Sequence, residues 1–480
     1  MHCIIIAVLS TAFAVTIATS GAQNWPGYLF DNGHSSTNTL ATAITPSNAS
    51  TLVTDWTFVD PQPTMQGQPP AGLYAGPTVV NGVVYIGSNT GMFYALDEAT
   101  GAVLWQQLLG FTSPTTCSNG HGVTSTATVV TDPVSGTLTV YVGGGDGYLY
   151  ALNAATGAIV FRQYVCDIGG GTRQNLGFIW ASPTIINAKM YLGFASQCDQ
   201  PLVRSAIKSF DQHTGALLRT FWTLPPGLTG AGVWSTAATD GKSLWFTTGN
   251  GATGGHSFAI VKLNASNLRF LTEWVAPIGV DLDWGSSPGL FRGTINGVST
   301  QLVGANQKSG IFYAFDANHL ENGPVWSYLV GTSETFAVGA DLGASVWDAT
   351  GRALYVGANQ TTIQSQVFAG SVRRFDPSTG SVIWETGLTG GPVMGSPTMD
   401  GAGVLAAGTY NITNLTLNAV YLLDSSNGNI LKTIGQPHTI VFAQPVFADN
   451  HLFVANGSAS SGQLTAFIPA ALKASGKEGR

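Results

Sequence analysis

The chain of 480 residues carries 18 Lys and Arg against 25 Asp and Glu, a net charge of -7, and only 9% of its residues are charged. With no basic cluster anywhere, that balance excludes a nucleic-acid binder, which needs a positively charged face. A hydrophobic share of 44% with 61 glycines excludes a disordered chain and suits short strands joined by tight turns.

Residues 1–22 read as a cleaved secretory signal. Ile4 to Ile17 is mostly apolar, and Ser20-Gly21-Ala22 offers the small residues a signal peptidase needs. The run is short for a bilayer span and no later stretch is longer, so a secreted or periplasmic protein without a membrane span is expected. Cys117, Cys166 and Cys198 would remain after cleavage, which suggests one disulfide and one spare thiol with the pairing left open. Sequons stand at Asn48, Asn264, Asn359, Asn411, Asn414 and Asn456.

The stretch from Gly76 to Trp105 predicts four short strands. Val79-Val80 and Val83 to Tyr85 flank Asn81-Gly82, the dipeptide of a type I′ hairpin turn; Phe93 to Leu96 and Ala102 to Trp105 follow, separated by an Asp97–Gly101 turn. That turn recurs, its Asp or Asn standing at Asp97, Asn153, Asp211, Asn264, Asp316, Asp376 and Asp424, so the spacing runs from 48 to 60 residues. Seven such repeats are complete. An eighth has three strands before the charged tail 471–480, which is expected to be disordered, while ITPSNASTLVTDW (44–56) reads as an outer strand with nothing before it. The two fragments complete one another if the N-terminal strand closes the last unit and so removes a sheet edge. The expected fold is all-β: one eight-bladed β-propeller of four-stranded antiparallel blades over residues 23–480, at about 57 residues per blade.

The ending A-x-D-x-x-T-G-x-x-x-W, seen in YALDEATGAVLW (94–105), resembles the tryptophan-docking repeat of pyrroloquinoline quinone (PQQ) dehydrogenases. An aromatic residue holds the last position in Trp105, Phe161, Trp326 and Trp384; Arg219 and Lys432 depart, with Phe221-Trp222 nearby in the third blade. The resemblance covers essentially the whole chain after residue 22, and NWPGYLFDNGHSSTN (24–38) is similar to the polyvinyl-alcohol dehydrogenase branch. It implies a PQQ and Ca²⁺ dehydrogenase acting on alcohol or sugar hydroxyls, with electrons leaving to an external acceptor such as a cytochrome c. Assembly scaffolds share the same blades without a cofactor, so a binding platform is the alternative.

Site residues belong where blades deviate, on loops at the channel mouth. PQQ is flat, tri-anionic and carries an ortho-quinone, so it needs an aromatic floor, cationic partners and oxygen ligands for the metal. By resemblance, GAGVWSTAATD (230–240) supplies Trp234 as the stacking residue, and WFTTGNGATGG (245–255) supplies Asn250 as a Ca²⁺ ligand. VDLDWGSSP (280–288) supplies Asp283 as catalytic base and metal ligand, with Asp281 second, and GANQKSGIFYAFD (304–316) supplies Lys308 against the quinone oxygens. The family's third-blade Glu ligand has only Asp199 near its place, and the adjacent Cys-Cys pair of methanol dehydrogenases is absent, Cys117 standing alone. Each residue also has a plain structural reading: a blade-packing Trp, a hairpin Asn, a turn-capping Asp, a solvated Lys.

Overall fold

The computed structural model describes residues 23–61, 72–115, 119–167, 176–277, 282–332, 342–458 and 461–477. Their strands form eight four-stranded antiparallel blades. The opening repeat behaves as read: strands Thr78–Val80, Val83–Gly87, Met92–Asp97 and Val103–Leu108 pair in sequence order. Asn81 and Gly82 both take positive φ, 53° and 78°, as a type I′ turn requires. Blades 2 to 7 repeat this pattern over 128–164, 184–222, 238–275, 289–329, 346–388 and 398–435. Blade 8 consists of Val446–Ala448, His451–Gly457 and Gly462–Pro469, completed from outside by the N-terminal strand Leu52–Val59.

Burial shows that the blades close a ring. The core divides into eight apolar clusters, and each joins one blade to the next. Tyr85 and Phe93 of blade 1 pack with Val140 and Tyr150 of blade 2, and Phe453 and Leu464 of blade 8 pack with Val84 and Tyr94 of blade 1. Where a repeat ends in an aromatic residue, that residue lies in these seams. Trp105 packs on Gly157 of the next blade and donates its indole N–H to Ala154 O at 2.9 Å. Trp56, Trp326 and Trp384 dock the same way on Gly101, Gly380 and Gly428, and Phe161 on Gly215. The glycine is required there: at Gly157 φ is +72° and a Cβ would come within 2.5 Å of the indole. Phe221 takes over in blade 3, packing against the cluster that holds Phe246 and Leu268.

The segment 24–38 does something the repeat pattern does not announce. It crosses one end of the ring and hydrogen-bonds to every blade in turn. Trp25 pairs with Val79, Pro26 O accepts from Val129 N, Asn32 Nδ2 donates to Ile185 O and Asn32 O accepts from Thr239 N. Gly33 O, Ser35 O and Ser36 O then accept from Leu290, Trp347 and Met399, and Asn38 Nδ2 reaches Phe447 O at 2.8 Å. This strap closes the end of the channel opposite the site described below.

Around the axis, one blade is tied to the next by a side-chain oxygen. Gly76 N donates to Thr126 Oγ1, Thr126 N to Ser182 Oγ, Ser182 N to Thr236 Oγ1 and Thr236 N to Ser287 Oγ, all at 2.9–3.0 Å. Ala344 N donates to Ser396 Oγ in the same way. The end of the chain differs from the tail expected at 471–480: Ala470–Lys477 is a helix, and Lys473 Nζ bonds Thr54 O and Asp55 O of the closing strand. Among the described residues no helix is long and apolar enough to cross a membrane.

Candidate active site

In an antiparallel blade, the segment before the first strand and the loop between the second and third strands emerge at the same end. Trp234 precedes the first strand of blade 4 (Ala238–Thr239), and Asp283 precedes that of blade 5 (Gly289–Ile295). Asn250 follows the second strand of blade 4 (Ser243–Thr247), Lys308 that of blade 5 (Val298–Asn306), and Asp199 that of blade 3 (Lys189–Ser196). Topology alone therefore sends all five to one mouth.

There they meet. Lys308 Nζ lies 2.7 Å from Asp283 Oδ2, with both side chains largely buried, and Lys308 N donates to Asp283 O at 3.0 Å. Asn250 N donates to Asp283 Oδ1, and Asn250 Nδ2 donates to Asp199 Oδ2 at 2.9 Å. The ammonium of Lys308 stands 5.5 Å from the ring centroid of Trp234, within cation–π range. Asp199, Asn250, Asp283, Lys308 and Trp234 line one cavity of about 140 Å³ together with Trp180 and Cys198.

Local packing explains why these side chains hold still. Trp284, next to Asp283, is fully buried and donates its indole N–H to Phe258 O at 2.9 Å, so it anchors the aspartate from below. Trp234 lies over Gly285, where a Cβ would come within 2.6 Å of the indole. The Asn250 turn is clipped to blade 4's entry segment by Ala231 N to Asn250 O at 2.6 Å, with Gly230 at φ +101° against Gly251.

Superposing the repeats reveals residues that motif reading missed. Two positions before each inter-blade tie stand Tyr74, Thr124, Trp180, Trp234, Gly285, Leu342, Met394 and Phe442, and this ring forms a floor across the channel. Trp180 occupies in blade 3 the position of Trp234 in blade 4, so the sequence did carry the signal in FIWASP (178–183) against GVWSTA (232–237). Below the floor a chamber of about 150 Å³ reaches Tyr28 of the strap. Above it, a cavity of about 430 Å³ is bounded by Tyr74, Asn89, His121, Trp180, Trp234 and Tyr410, among others.

Asp281 and Cys117 lie outside the described residues, as does the segment 1–22. Cys198 is disulfide-bonded, to a partner outside the described residues, and Cys166 is a free buried thiol whose burial raises its pKa. The spare thiol expected from the odd cysteine count is thus Cys166. Among the described residues no three His, Cys, Asp or Glu side chains gather as a metal cluster.

Comparison with known proteins bears on the fold that carries this site. Residues 25–251 match the family model described as glucose/ethanol/alcohol dehydrogenase, beta-propeller domain. The chain carries a PQQ-dehydrogenase-like β-propeller. This propeller is 30% identical over 155 residues to the dehydrogenase subunit of the quinone alcohol dehydrogenase of Gluconobacter oxydans, a match covering 32% of the chain but only 20% of that relative. Among solved structures it is similar to the quinohemoprotein alcohol dehydrogenase from Comamonas testosteroni, with a TM-score of 0.72 at 16% identity, covering 94% of the chain and 81% of that protein. A europium-containing methanol dehydrogenase gives a TM-score of 0.72 at 15% identity, covering 93% and 98%. BamB from Moraxella catarrhalis gives 0.51 at 16% identity, covering 87% and 97%. These likenesses establish the fold.

The residues present fit the two groups that the resemblance implies. Trp234 offers a flat aromatic floor with a cation over its ring, as a planar anionic quinone requires. The two carboxylates of Asp199 and Asp283 with the Asn250 amide make an all-oxygen donor set, the kind a hard cation such as Ca²⁺ takes. Asp199, the residue near the place of the family's third-blade Glu, meets Asn250 directly through its carboxylate.

Proposed function

We propose that the chain is a quinone-dependent dehydrogenase of alcohol or sugar hydroxyls, working with PQQ and Ca²⁺ and passing electrons to an external acceptor such as a cytochrome c. The observation that carries this reading is the convergence of Trp234, Asn250, Asp283, Lys308 and Asp199, drawn from three blades, on one cavity. A sequence order alone does not require that contact.

When bound, the quinone supplies the hydride acceptor and the divalent cation supplies Lewis-acid polarisation. The chain's own residues do the rest. Asp283 takes the hydroxyl proton of the substrate as general base. Asn250 N–H and Lys308 Nζ each hold one of its carboxylate oxygens, which fixes its plane and leaves the remaining lone pairs for substrate or metal. Lys308 also places positive charge 5.5 Å from the Trp234 ring centroid, where it would offset negative charge on an acceptor held beside that ring. Asp199 and Asn250 would hold the metal with Asp283, and Trp234 would support the ring system.

Reconstitution with PQQ and Ca²⁺ followed by a dye-linked assay over a panel of alcohols and aldoses tests this. Turnover is expected, and Asp283→Asn and Lys308→Ala should each lower kcat by at least about 100-fold, compared at a temperature where both variants remain folded. A protein that shows neither a bound-quinone spectrum nor turnover would instead be a cofactor-free propeller serving as a binding platform.

A further inference from the structure

We propose that the chamber between the floor and the strap binds a halide ion, chloride under ordinary conditions. Neither Asp283 nor Lys308 lines this chamber, so the proposal stands or falls independently of the quinone reading.

The hydrogen-bond roles of the chamber walls carry the inference. Thr126, Ser182, Thr236, Ser287 and Ser396 line it, and each hydroxyl oxygen already accepts a backbone N–H from the blade before it. Each of these hydroxyls therefore still has a proton to give. Ser287 and Ser396 turn theirs toward the Tyr28 hydroxyl, Ser287 over a long 3.5 Å. Thr126, Ser182 and Thr236 donate to no protein acceptor among the described residues. Burial raises the pKa of the Tyr28 phenol, so it stays protonated and is a further donor.

Gln444 fixes the polarity. It is 3% exposed, and its Oε1 accepts from Leu29 N of the strap at 3.1 Å. That bond sets which way the amide points, and it leaves Nε2 buried with no partner. Thr124 Oγ1, also in the chamber wall, is buried and unpartnered too. No Asp, Glu, Lys, Arg or His lines the chamber among the described residues.

These walls present donors from blades 2, 3, 4 and 8 and from the strap. The chamber volume of about 150 Å³ exceeds the share of about 30 Å³ that one water takes in the liquid. A water would bring two more protons to walls already rich in them. A halide brings none and accepts from several donors at once, in charge-assisted bonds that offset the cost of burying its charge. A doubly charged oxyanion would find no cation to balance it. Tyr28 and Thr236 also line a cavity of about 290 Å³ beside the strap, so the ion has its approach from the end opposite the active site. Held between Tyr28 and the blade donors, it pins the strap to the axis of the ring.

The test uses the full chain without added cofactor. Crystals grown in sodium bromide should show an anomalous peak in the chamber, within hydrogen-bond reach of Tyr28 Oη and Gln444 Nε2. In solution, exchanging gluconate for chloride at constant ionic strength separates site binding from screening. The wild-type melting temperature should rise by about 2 °C at about 0.2 M chloride. Tyr28→Phe and Thr124→Val each remove a donor without breaking a short protein hydrogen bond, and each should at least halve that rise. Near-UV circular dichroism checks that both variants fold; should either fail to, the wild-type bromide map and chloride response decide. Chamber density without an anomalous signal means water and overturns the proposal. A bromide peak with no chloride response in wild-type melting means binding at crystal concentration only, and overturns it as well. So does a chloride response that both folded variants retain in full.

Discussion

Asp400 closes the first strand of blade 7 with its side chain about 1% exposed. Its Oδ1 accepts from Ala402 N and Val404 N, while Oδ2 has no partner. Burial pushes this carboxyl up to about 7 against those two bonds. The folded protein therefore holds a proton that the unfolded chain releases near pH 4. The sign follows: the contribution is complete below pH 4 and is lost as pH rises to 7, by at most about 4 kcal/mol. Asp400→Asn keeps an acceptor for both N–H groups and cannot ionise. Its melting temperature relative to wild type should climb between pH 5 and 8, and a constant difference would refute the assignment. The site residues behave differently, and so does their legibility. Asp283 and Lys308 were readable because each follows a motif that breaks the repeat, and a break is visible in one sequence. Trp180 and His121 were not singled out, since they sit in segments that conform to the repeat. Their meaning comes from the floor and the cavity above it, which exist only once neighbouring blades are in place.

The strap 24–38 shows the same limit at the level of an element. Its sequence has no hydrophobic period, because its bonds go to eight different blades and not to a neighbouring strand of its own. The blades, in contrast, were legible to within three residues, since Asn81-Gly82 and the Asp97–Gly101 turn determine their own backbone locally. The strap turns on residues in the left-handed region, Leu29, Phe30, His34 and Ser36 among them. His34 is buried, with Nδ1 2.7 Å from Pro288 O, and burial lowers its pKa to about 4. The unfolded chain takes up a proton near pH 6.5 that the folded strap refuses. This contribution is present above pH 6.5 and is lost as pH falls to 4, worth about 3 kcal/mol. In His34→Leu the melting temperature should fall less steeply than in wild type over that window. Curves that run parallel from pH 6.5 to 4 would show that the strap is not the acid-sensitive element.

Closure of the whole ring depends on strands far apart in sequence. Leu52–Val59 pairs antiparallel with Gly462–Pro469, and Trp56 of the same strand docks on Gly101 of blade 1, its indole donating to Glu98 O at 2.8 Å. The other seams join segments that follow one another along the chain, so this seam carries the largest loop-closure entropy in the molecule. Asp55 adds contacts with His451 at 3.2 Å and Lys473 at 3.4 Å, which brings the C-terminal helix onto the same strand. Thr57 and Thr465 face each other here with their hydroxyl oxygens 3.3 Å apart. Replacing both by cysteine, Thr57→Cys and Thr465→Cys, offers a cross-link that encloses nearly the entire propeller. In the chain-entropy account a loop of that size is worth about 6 kcal/mol, reduced by any strain at the bridge. The oxidised protein should melt well above its reduced form and unfold more slowly. Equal melting of the two forms would mean that opening at this seam is not how the ring comes apart. In that event unfolding would have to begin within a blade, and the strap, which already touches all eight, would be the element holding the ends together.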